Sequence, residues 1–173
     1  MSRSIINSPQ LSLGIDFTFN NIKNVKKVNW KTEAPWYREI TDGFCWLCYC
    51  QNPKCEGFKE LVVINKGYCV VAIGKEVSNL VCPICKTGNK IDKNLDIPLL
   101  SIQNCGFVNC EWAMRGILRK NKESKIYAEG RTYDSKLYTF RESDYRQIWN
   151  ALDIIVKKLD SKTSLKNIPS ARN

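Results

Sequence analysis

The chain of 173 residues contains no histidine. Histidine is the commonest general base in enzymes, and the Ser–His and Cys–His nucleophile pairs both require it. The sequence also lacks a glycine-rich motif of the kind that cradles phosphate groups. These absences remove the commonest routes to hydrolysis and phosphoryl transfer, so we predict that the protein is not an enzyme.

Long hydrophobic runs are also missing. The apolar runs, such as residues 61–64 and 69–73, are short, whereas a membrane-spanning helix needs about 20 apolar residues. The first 30 residues hold no apolar run of the roughly 7–15 residues that a secretory signal contains. We therefore expect no membrane partner and a cytoplasmic or nuclear location. With 43% apolar residues the chain can still build one ordinary core.

Acidic residues are in short supply: 27 Lys and Arg stand against 17 Asp and Glu, a formal charge of +10. Residues 115–173 hold fourteen basic and seven acidic residues, a net charge of +7. Such a segment suits an acidic partner such as nucleic acid, but a soluble basic surface is the explanation that we favour. The nucleic-acid hypothesis rests on aromatic residues, which could stack on bases, interleaved with cations: Tyr127, Tyr133, Tyr138 and Phe140 among Arg131, Lys136 and Arg141.

Cysteine is abundant, and eight of the nine cysteines form close pairs: Cys45/Cys48, Cys50/Cys55, Cys82/Cys85 and Cys105/Cys110. Two thiolates two to four residues apart can bind one metal ion, and two such pairs complete a tetrahedral zinc shell. In a reducing compartment such pairs indicate metal rather than disulfides. Cys69 stands alone in a predicted strand, where we expect a buried thiol.

The pairing of these cysteines into sites stays open at this point. Cys82-Pro-Ile-Cys85, followed by Lys86 and Gly88, resembles a zinc knuckle. Our first choice joins Cys50/Cys55 with Cys82/Cys85 in one site and Cys45/Cys48 with Cys105/Cys110 in a second. The alternative joins Cys82/Cys85 with Cys105/Cys110. The interior of Cys45/Cys48 is apolar and strand-like, so we expect one zinc ion and leave a second open.

Periodicity predicts the secondary structure. Strict apolar alternation over residues 11–19 indicates a strand. Residues 61–64 and 68–73 predict a β-hairpin in which Gly67 takes the positive φ of the turn. Residues 126–128 and 136–141 predict a second antiparallel pair, and residues 86–101 a loop. Ser143 suits a helix N-cap before one apolar stripe of helical spacing: Tyr145, Ile148, Trp149, Leu152, Val156 and Leu159.

The predicted fold is therefore α+β: a small zinc-stabilised antiparallel β domain, similar to a zinc ribbon or treble clef, with a C-terminal amphipathic helix. We assign residues 1–29 to an N-terminal extension with one strand. Residues 30–160 form the cysteine-rich domain that ends in the helix, and residues 161–173 form a disordered tail.

Several motifs carry a resemblance to a known family. They are Cys50-x4-Cys55-Glu-Gly-Phe, Ile64-Asn-Lys-Gly-Tyr, Cys82-Pro-Ile-Cys85, and Asn104-Cys-Gly-Phe-Val-Asn-Cys-Glu-Trp, with Tyr133-Asp and Leu137-Tyr-Thr-Phe behind them. Together they resemble a cysteine-rich module of uncharacterised protist proteins over residues 28–150. In some members that module follows a ubiquitin-like domain.

The resemblance implies a loose link to ubiquitin biology. It also implies that the family's shared cysteines correspond to Cys50, Cys55, Cys82, Cys85, Cys105 and Cys110, and that Cys45 and Cys48 are additions in this chain. From both lines we expect a zinc-stabilised protein-interaction module with an unidentified protein partner. The alternatives are a basic zinc-dependent nucleic-acid binder and, less favoured because RING ligands usually include histidine, a RING-like ubiquitin ligase.

Overall fold

The computed structural model describes residues 25–28, 33–88, 91–94, 97–120, 122–140 and 149–160. Strands account for most of these residues: β1 (Val25–Val28), β2 (Gly43–Cys50), β3 (Leu61–Gly67), β4 (Val70–Ala72), β5 (Ile91–Asp92), β6 (Ile97–Pro98), β7 (Leu100–Val108), β8 (Cys110–Leu118), β9 (Ser124–Arg131), β10 (Leu137–Phe140) and β11 (Trp149–Lys158). The helical elements in this part of the chain are short: a 3-10 helix (Trp36–Arg38) and α1 (Ile73–Val77).

The strands form two larger antiparallel sheets and one ribbon. The first sheet has the order β1-β10-β7-β2-β3, and the second has the order β4-β11-β8-β9. Strands β5 and β6 pair with each other in the ribbon. The long strands β7 and β8 follow one another directly, but they belong to different sheets. Asn109 between them has a φ of +46°, a left-handed conformation that asparagine tolerates well.

The core lies between the two sheets and is rich in aromatic side chains. Phe107 of β7 stacks on Trp112 of β8 with ring centroids 4.6 Å apart and planes 9° apart. Phe140 of β10 meets both rings edge-on at 5.8 Å. Aromatic pairs of these geometries contribute about 0.5–1.5 kcal/mol each beyond the area they bury. The stack therefore joins the first sheet to the second.

The predicted C-terminal helix is wrong, and with it the α+β fold class. Residues 149–158 form β11, which pairs with β8 along its length and with β4 on its other side. Leu152, Ile154 and Val156 are buried, while Asp153, Ile155 and Lys157 lie on the opposite face. Three consecutive β-branched residues, at 154–156, favour extended backbone over helix. Ser143, Tyr145 and Ile148 of the predicted helix lie outside the described residues.

The pairing predicted for residues 61–73 is also wrong. Gly67 does take a positive φ, of +66°. The bend that it makes, however, leads from one sheet to the other, because β3 pairs with β2 and β4 pairs with β11. Residue Ile73 begins α1 instead of ending a strand. The sequence predicts a strand in each segment, but periodicity does not say which sheet each strand joins.

The second predicted pair fails for the same reason. Strand β9 pairs with β8, whereas β10 pairs with β1 and β7. The predicted loop at residues 86–101 contains the β5–β6 ribbon and the first two residues of β7. The strand predicted at 11–19 and the tail at 161–173 lie outside the described residues, so they and the domain boundaries stay predictions. Within the described chain, no helix is long and apolar enough to cross a membrane.

Candidate metal centre

The first pair of sulfur ligands is positioned by the end of β2 and the loop after it. Cys50 is the last residue of β2, and the Cys55 N–H donates to the carbonyl of Asn52 at 2.9 Å. The Lys59 N–H then donates to the Cys50 carbonyl at 2.7 Å, and Lys59 has a φ of +62°. The loop therefore closes on itself, so that Cys50 and Cys55 lie on the same side of it.

The second pair lies in a tight turn after α1. The Cys82 N–H donates to the Thr87 carbonyl and the Lys86 N–H donates to the Cys82 carbonyl, both at 2.9 Å. Lys86 has a φ of +59°. These bonds close a small loop around Cys82-Pro-Ile-Cys85, in which both sulfur atoms face the loop that follows β2.

The four sulfur atoms of Cys50, Cys55, Cys82 and Cys85 lie within 4.8 Å of one another. The Cys50 and Cys85 Sγ atoms are 3.8 Å apart, and the Cys55 and Cys82 Sγ atoms are 3.9 Å apart. Cys50, Cys55 and Cys82 are buried and Cys85 is half-buried. We call these four residues the four-cysteine centre. It could hold one metal ion between the two loops.

Backbone N–H groups point at the sulfur atoms in a repeated pattern. In each case the donor lies two positions after the cysteine. The Asn52 N–H donates to the Cys50 sulfur and the Thr87 N–H donates to the Cys85 sulfur. The Gly57 N–H donates to the Cys55 sulfur at 3.3 Å. Such donors stabilise negative charge on sulfur, and hydrogen bonds around metal ligands fix their orientation. The arrangement is therefore suited to thiolates.

One side-chain contact ties the two loops together. The Asn52 side-chain amide donates to the Thr87 hydroxyl at 3.2 Å, and both side chains also bond to the Cys85 sulfur. Sequence reasoning did not identify Asn52 and Thr87 as part of the centre. The signal was present, since each follows a cysteine of the centre by two positions.

The pKa values of the thiols in the centre shift in different directions. Burial raises the pKa of Cys50 and Cys55, and the nearby Cys82 sulfur adds to the increase at both residues. Burial alone would also raise the pKa of Cys85. Hydrogen bonds from Thr87 and Asn52 outweigh it and lower that pKa from 9.0 to about 6. Cys85 therefore provides a thiolate at neutral pH, while a metal must displace protons from Cys50 and Cys55.

The other paired cysteines do not join a centre of this kind within the described residues. Cys45 and Cys48 lie on one strand three positions apart, and their side chains point to opposite faces. Cys45 packs beside Leu137 outside the first sheet, and Cys48 packs in the core between the sheets. Since side chains alternate along a strand, this spacing cannot bring both sulfur atoms to one ion.

Cys105 and Cys110 are also core residues. Cys105 of β7 lies opposite Trp46 of β2, and the N–H of Cys110 donates to the Thr132 hydroxyl at 3.2 Å. Burial raises the pKa of Cys110 to about 12 and that of Cys105 well above its usual value. The chain between these two cysteines crosses from β7 to β8, with Asn109 between the strands. Cys69 is half-buried beside β11.

The described residues of the nucleic-acid hypothesis are divided between the two sheets and the connection from β9 to β10. Arg131 lies in the second sheet and pairs with Glu111 at 3.5 Å. Tyr138 lies in the first sheet and donates to Asp134 at 2.9 Å. Phe140 is 1% exposed and belongs to the core. Tyr133 and Lys136 lie in the connection between β9 and β10, and Arg141 lies outside the described residues.

No known protein family, no curated protein and no solved structure matches this chain. The resemblance to the cysteine-rich protist module therefore stays a prediction.

Proposed function

We propose that this protein is a zinc-stabilised protein-interaction module whose metal is structural. The observation that carries the proposal is the four-cysteine centre, in which two loops place four sulfur atoms within 4.8 Å of one another. The centre lies where β2 leaves the first sheet and where the chain returns after α1. A bound ion would thus join two parts of the chain that are about thirty residues apart.

Zinc is the ion that fits this donor set best. A tetrahedron with Zn–S bonds of about 2.3 Å has sulfur–sulfur edges of about 3.8 Å. The Cys50–Cys85 and Cys55–Cys82 distances of 3.8 and 3.9 Å agree with such edges. Tetrahedral sites of four thiolates select zinc or iron among the common metals, and the mass of the bound ion distinguishes the two.

The role of the metal follows from its complete ligand shell. A catalytic zinc keeps one position open for water or substrate, whereas four cysteine ligands leave none. The ion would instead stabilise the fold, since zinc bound by such sites contributes an apparent 10–16 kcal/mol, roughly, to folding. We therefore propose no catalytic activity for this centre.

The surface next to the centre supports an interaction role. Phe58 is 36% exposed in the first loop, and Val81 is 41% exposed next to Cys82 in the second. Apolar and aromatic side chains that are exposed in the free protein can become buried anchors when a partner binds. The metal would fix both side chains in place, so partner binding would depend on the metal.

The ubiquitin link rests on the resemblance alone. Titration of the labelled zinc-loaded protein with ubiquitin tests it directly, and an absence of saturable binding would remove that part of the proposal. A RING-like ligase needs two interleaved metal sites, and the described residues bring together only one group of four ligands. We therefore do not propose ligase activity.

The interaction role is tested by affinity capture from the source cell. The bait is the zinc-loaded chain, and the variant is Phe58→Ala combined with Val81→Ser. The control is Ile126→Ser, which changes a 46% exposed apolar residue on β9. We expect the wild type and the control to retain the same partner and the double variant to lose it. The proposal fails if no protein exceeds background, or if all three baits retain the same proteins.

A further inference from the structure

A second apolar cluster lies on the outer face of the first sheet, away from the core between the sheets. It consists of Cys45, Val63, Val108 and Leu137, with Val28, Ile40 and Leu47 packed against it. A groove of about 660 Å³ opens beside this cluster. Its floor is formed by side chains of four strands, namely Val28, Leu47, Leu61, Val63 and Leu137, and residues 33–40 form its other wall.

One polar group in the groove has no partner. Thr139 lines the groove and is 2% exposed, yet its hydroxyl has no hydrogen-bond partner among the described residues. Burial of an unpaired hydroxyl is unfavourable, so such groups are normally bonded. Asn104, which also lines the groove, has partners for both its nitrogen and its oxygen: Nδ2 donates to the Phe140 carbonyl at 3.0 Å and Oδ1 accepts from the Cys105 N–H at 2.8 Å.

A lysine stands next to this hydroxyl. Lys26 of β1 lies directly opposite Thr139 of β10, and residues opposite each other in antiparallel strands project to the same face. Lys26 lines the groove and forms no ion pair with the described residues. Its neighbour Lys27 projects to the other face and pairs with Asp134 at 2.8 Å.

The remaining charges lie on the wall formed by residues 33–40. Arg38 is held by Glu60 and by the Leu61 carbonyl, at 3.1 Å from Nε. Glu33 and Glu39 also line the groove. The groove therefore has a basic end with a hydroxyl at β1 and β10, an apolar floor, and acidic groups on the wall formed by residues 33–40.

We propose that this groove binds a small amphipathic carboxylic acid. Its apolar body would lie on the floor, and its carboxylate would accept hydrogen bonds from the Lys26 ammonium and, after a rotamer change that uncovers it, from the buried Thr139 hydroxyl. The volume falls within the range of roughly 300–1,000 Å³ that is usual for small-molecule sites, which are mostly apolar with a few polar groups. The site is separate from the four-cysteine centre, so its failure would leave the zinc proposal standing.

Three probes of equal chain length test the head-group preference: decanoate, decanol and decylammonium, each below its micelle concentration. Trp36, which is 62% exposed and lines the groove, provides a fluorescence signal for titration of the full chain. We expect saturable binding with decanoate tightest and decylammonium weakest. A hydrogen bond to a charged group corresponds to about tenfold in affinity, so decanoate should exceed decanol by about that factor.

Matched variants test the two polar groups. Lys26→Gln should weaken decanoate binding about tenfold, whereas Lys27→Gln should leave it within about twofold. Thr139→Val should weaken it about threefold to tenfold, while Thr139→Ser, which keeps the hydroxyl, should retain most of the affinity. Cooperative thermal unfolding of each variant confirms its fold. If Thr139→Val does not fold, the decanoate affinities of Lys26→Gln and Lys27→Gln test the proposal by themselves.

Other occupants of the groove give different results. Equal affinities for all three probes, no saturable decanoate binding, or equal effects of Lys26→Gln and Lys27→Gln would overturn the proposal. A concentration-dependent dimer in light scattering whose formation abolishes decanoate binding would assign the groove to a second copy of the chain. That result would also overturn the proposal.

Discussion

Each sulfur of the four-cysteine centre is expected to be indispensable for metal binding. Loss of a residue that only orients a ligand costs roughly 10- to 100-fold in metal affinity, so Cys82→Ser should cost at least about 100-fold. Competition with a chromophoric chelator measures this loss. Cys69→Ala is the matched control, because Cys69 lies outside the centre. Equal zinc affinity of the two variants would contradict the assignment.

Metal affinity should fall as the pH falls. Cys50 and Cys55 have raised pKa values and hold protons at pH 7 in the metal-free protein, so binding must release them. Cys85 has a pKa of about 6. When the metal binds at pH 7, Cys85 has no proton to release because it is already a thiolate. Below pH 6 it is protonated and must release one proton to bind the metal. The slope of log affinity against pH should therefore steepen by about one below pH 6, in chelator titrations between about pH 5 and 8. A constant affinity over that range would contradict this reasoning.

Gly116 is expected to reject even a methyl group. A Cβ at this position would lie 2.7 Å from the Trp149 ring and 2.8 Å from the Ala151 carbonyl oxygen. Such overpacking costs about 1–3 kcal/mol, and Gly116→Ala should lower the free energy of unfolding by that amount in urea titrations. Gly74→Ala, at an exposed position of α1, should be neutral or stabilising. Equal effects of the two substitutions would argue against the tight packing of Trp149.

At the scale of elements, β11 offers a test that separates strand from helix. Ile154 is 0% exposed in the core, whereas its neighbour Ile155 lies on the outer face. Neither residue belongs to the helical stripe that the sequence predicts. Ile154→Ala should therefore cost about 2–5 kcal/mol, and Ile155→Ala under about 1 kcal/mol, in equilibrium unfolding. Similar small costs at both positions would contradict the strand.

The helix predicted from the sequence is wrong because the apolar spacing of this segment fits both a helix and a strand. Trp149, Leu152, Val156 and Leu159 fit a helical stripe, but Leu152, Ile154 and Val156 fit a strand equally well. A short segment with both patterns is decided by its pairing partner, and here β8 supplies nine residues of pairing. The β-branched run at 154–156 was the local signal for a strand.

The cysteine pairs show what spacing can and cannot predict. The turn residues within and after Cys82/Cys85 and Cys50/Cys55 allow the chain to fold back on itself, and these four sulfur atoms are the ones that the structure brings together. The apolar interior of Cys45/Cys48 favours extended backbone, and both residues lie in β2. The turn-compatible Asn109 within Cys105/Cys110 instead lies at the crossing from β7 to β8, so these two cysteines belong to different strands. The sequence does not predict which strands pair, because sheet membership depends on contacts between residues that are distant in sequence.

At the scale of the whole molecule, we expect the stability of the fold to depend on one bound metal ion. An apparent binding free energy of about 10–16 kcal/mol equals or exceeds the total stability of a typical domain, about 5–15 kcal/mol. Removal of zinc by a strong chelator should therefore abolish cooperative thermal unfolding or lower its midpoint sharply. Zinc should restore it when added back under reducing conditions. A melting curve that chelation leaves unchanged would contradict a structural role.

Native mass spectrometry of the reduced chain, with and without chelator, tests the central claim most directly because it counts and identifies bound metal. We expect one zinc ion per chain, bound with the loss of thiol protons, absent after chelation, and absent from Cys82→Ser. A chain that carries no metal while its nine cysteines remain free thiols would rule out the four-cysteine zinc site, and two tightly bound ions per chain would rule out a single site.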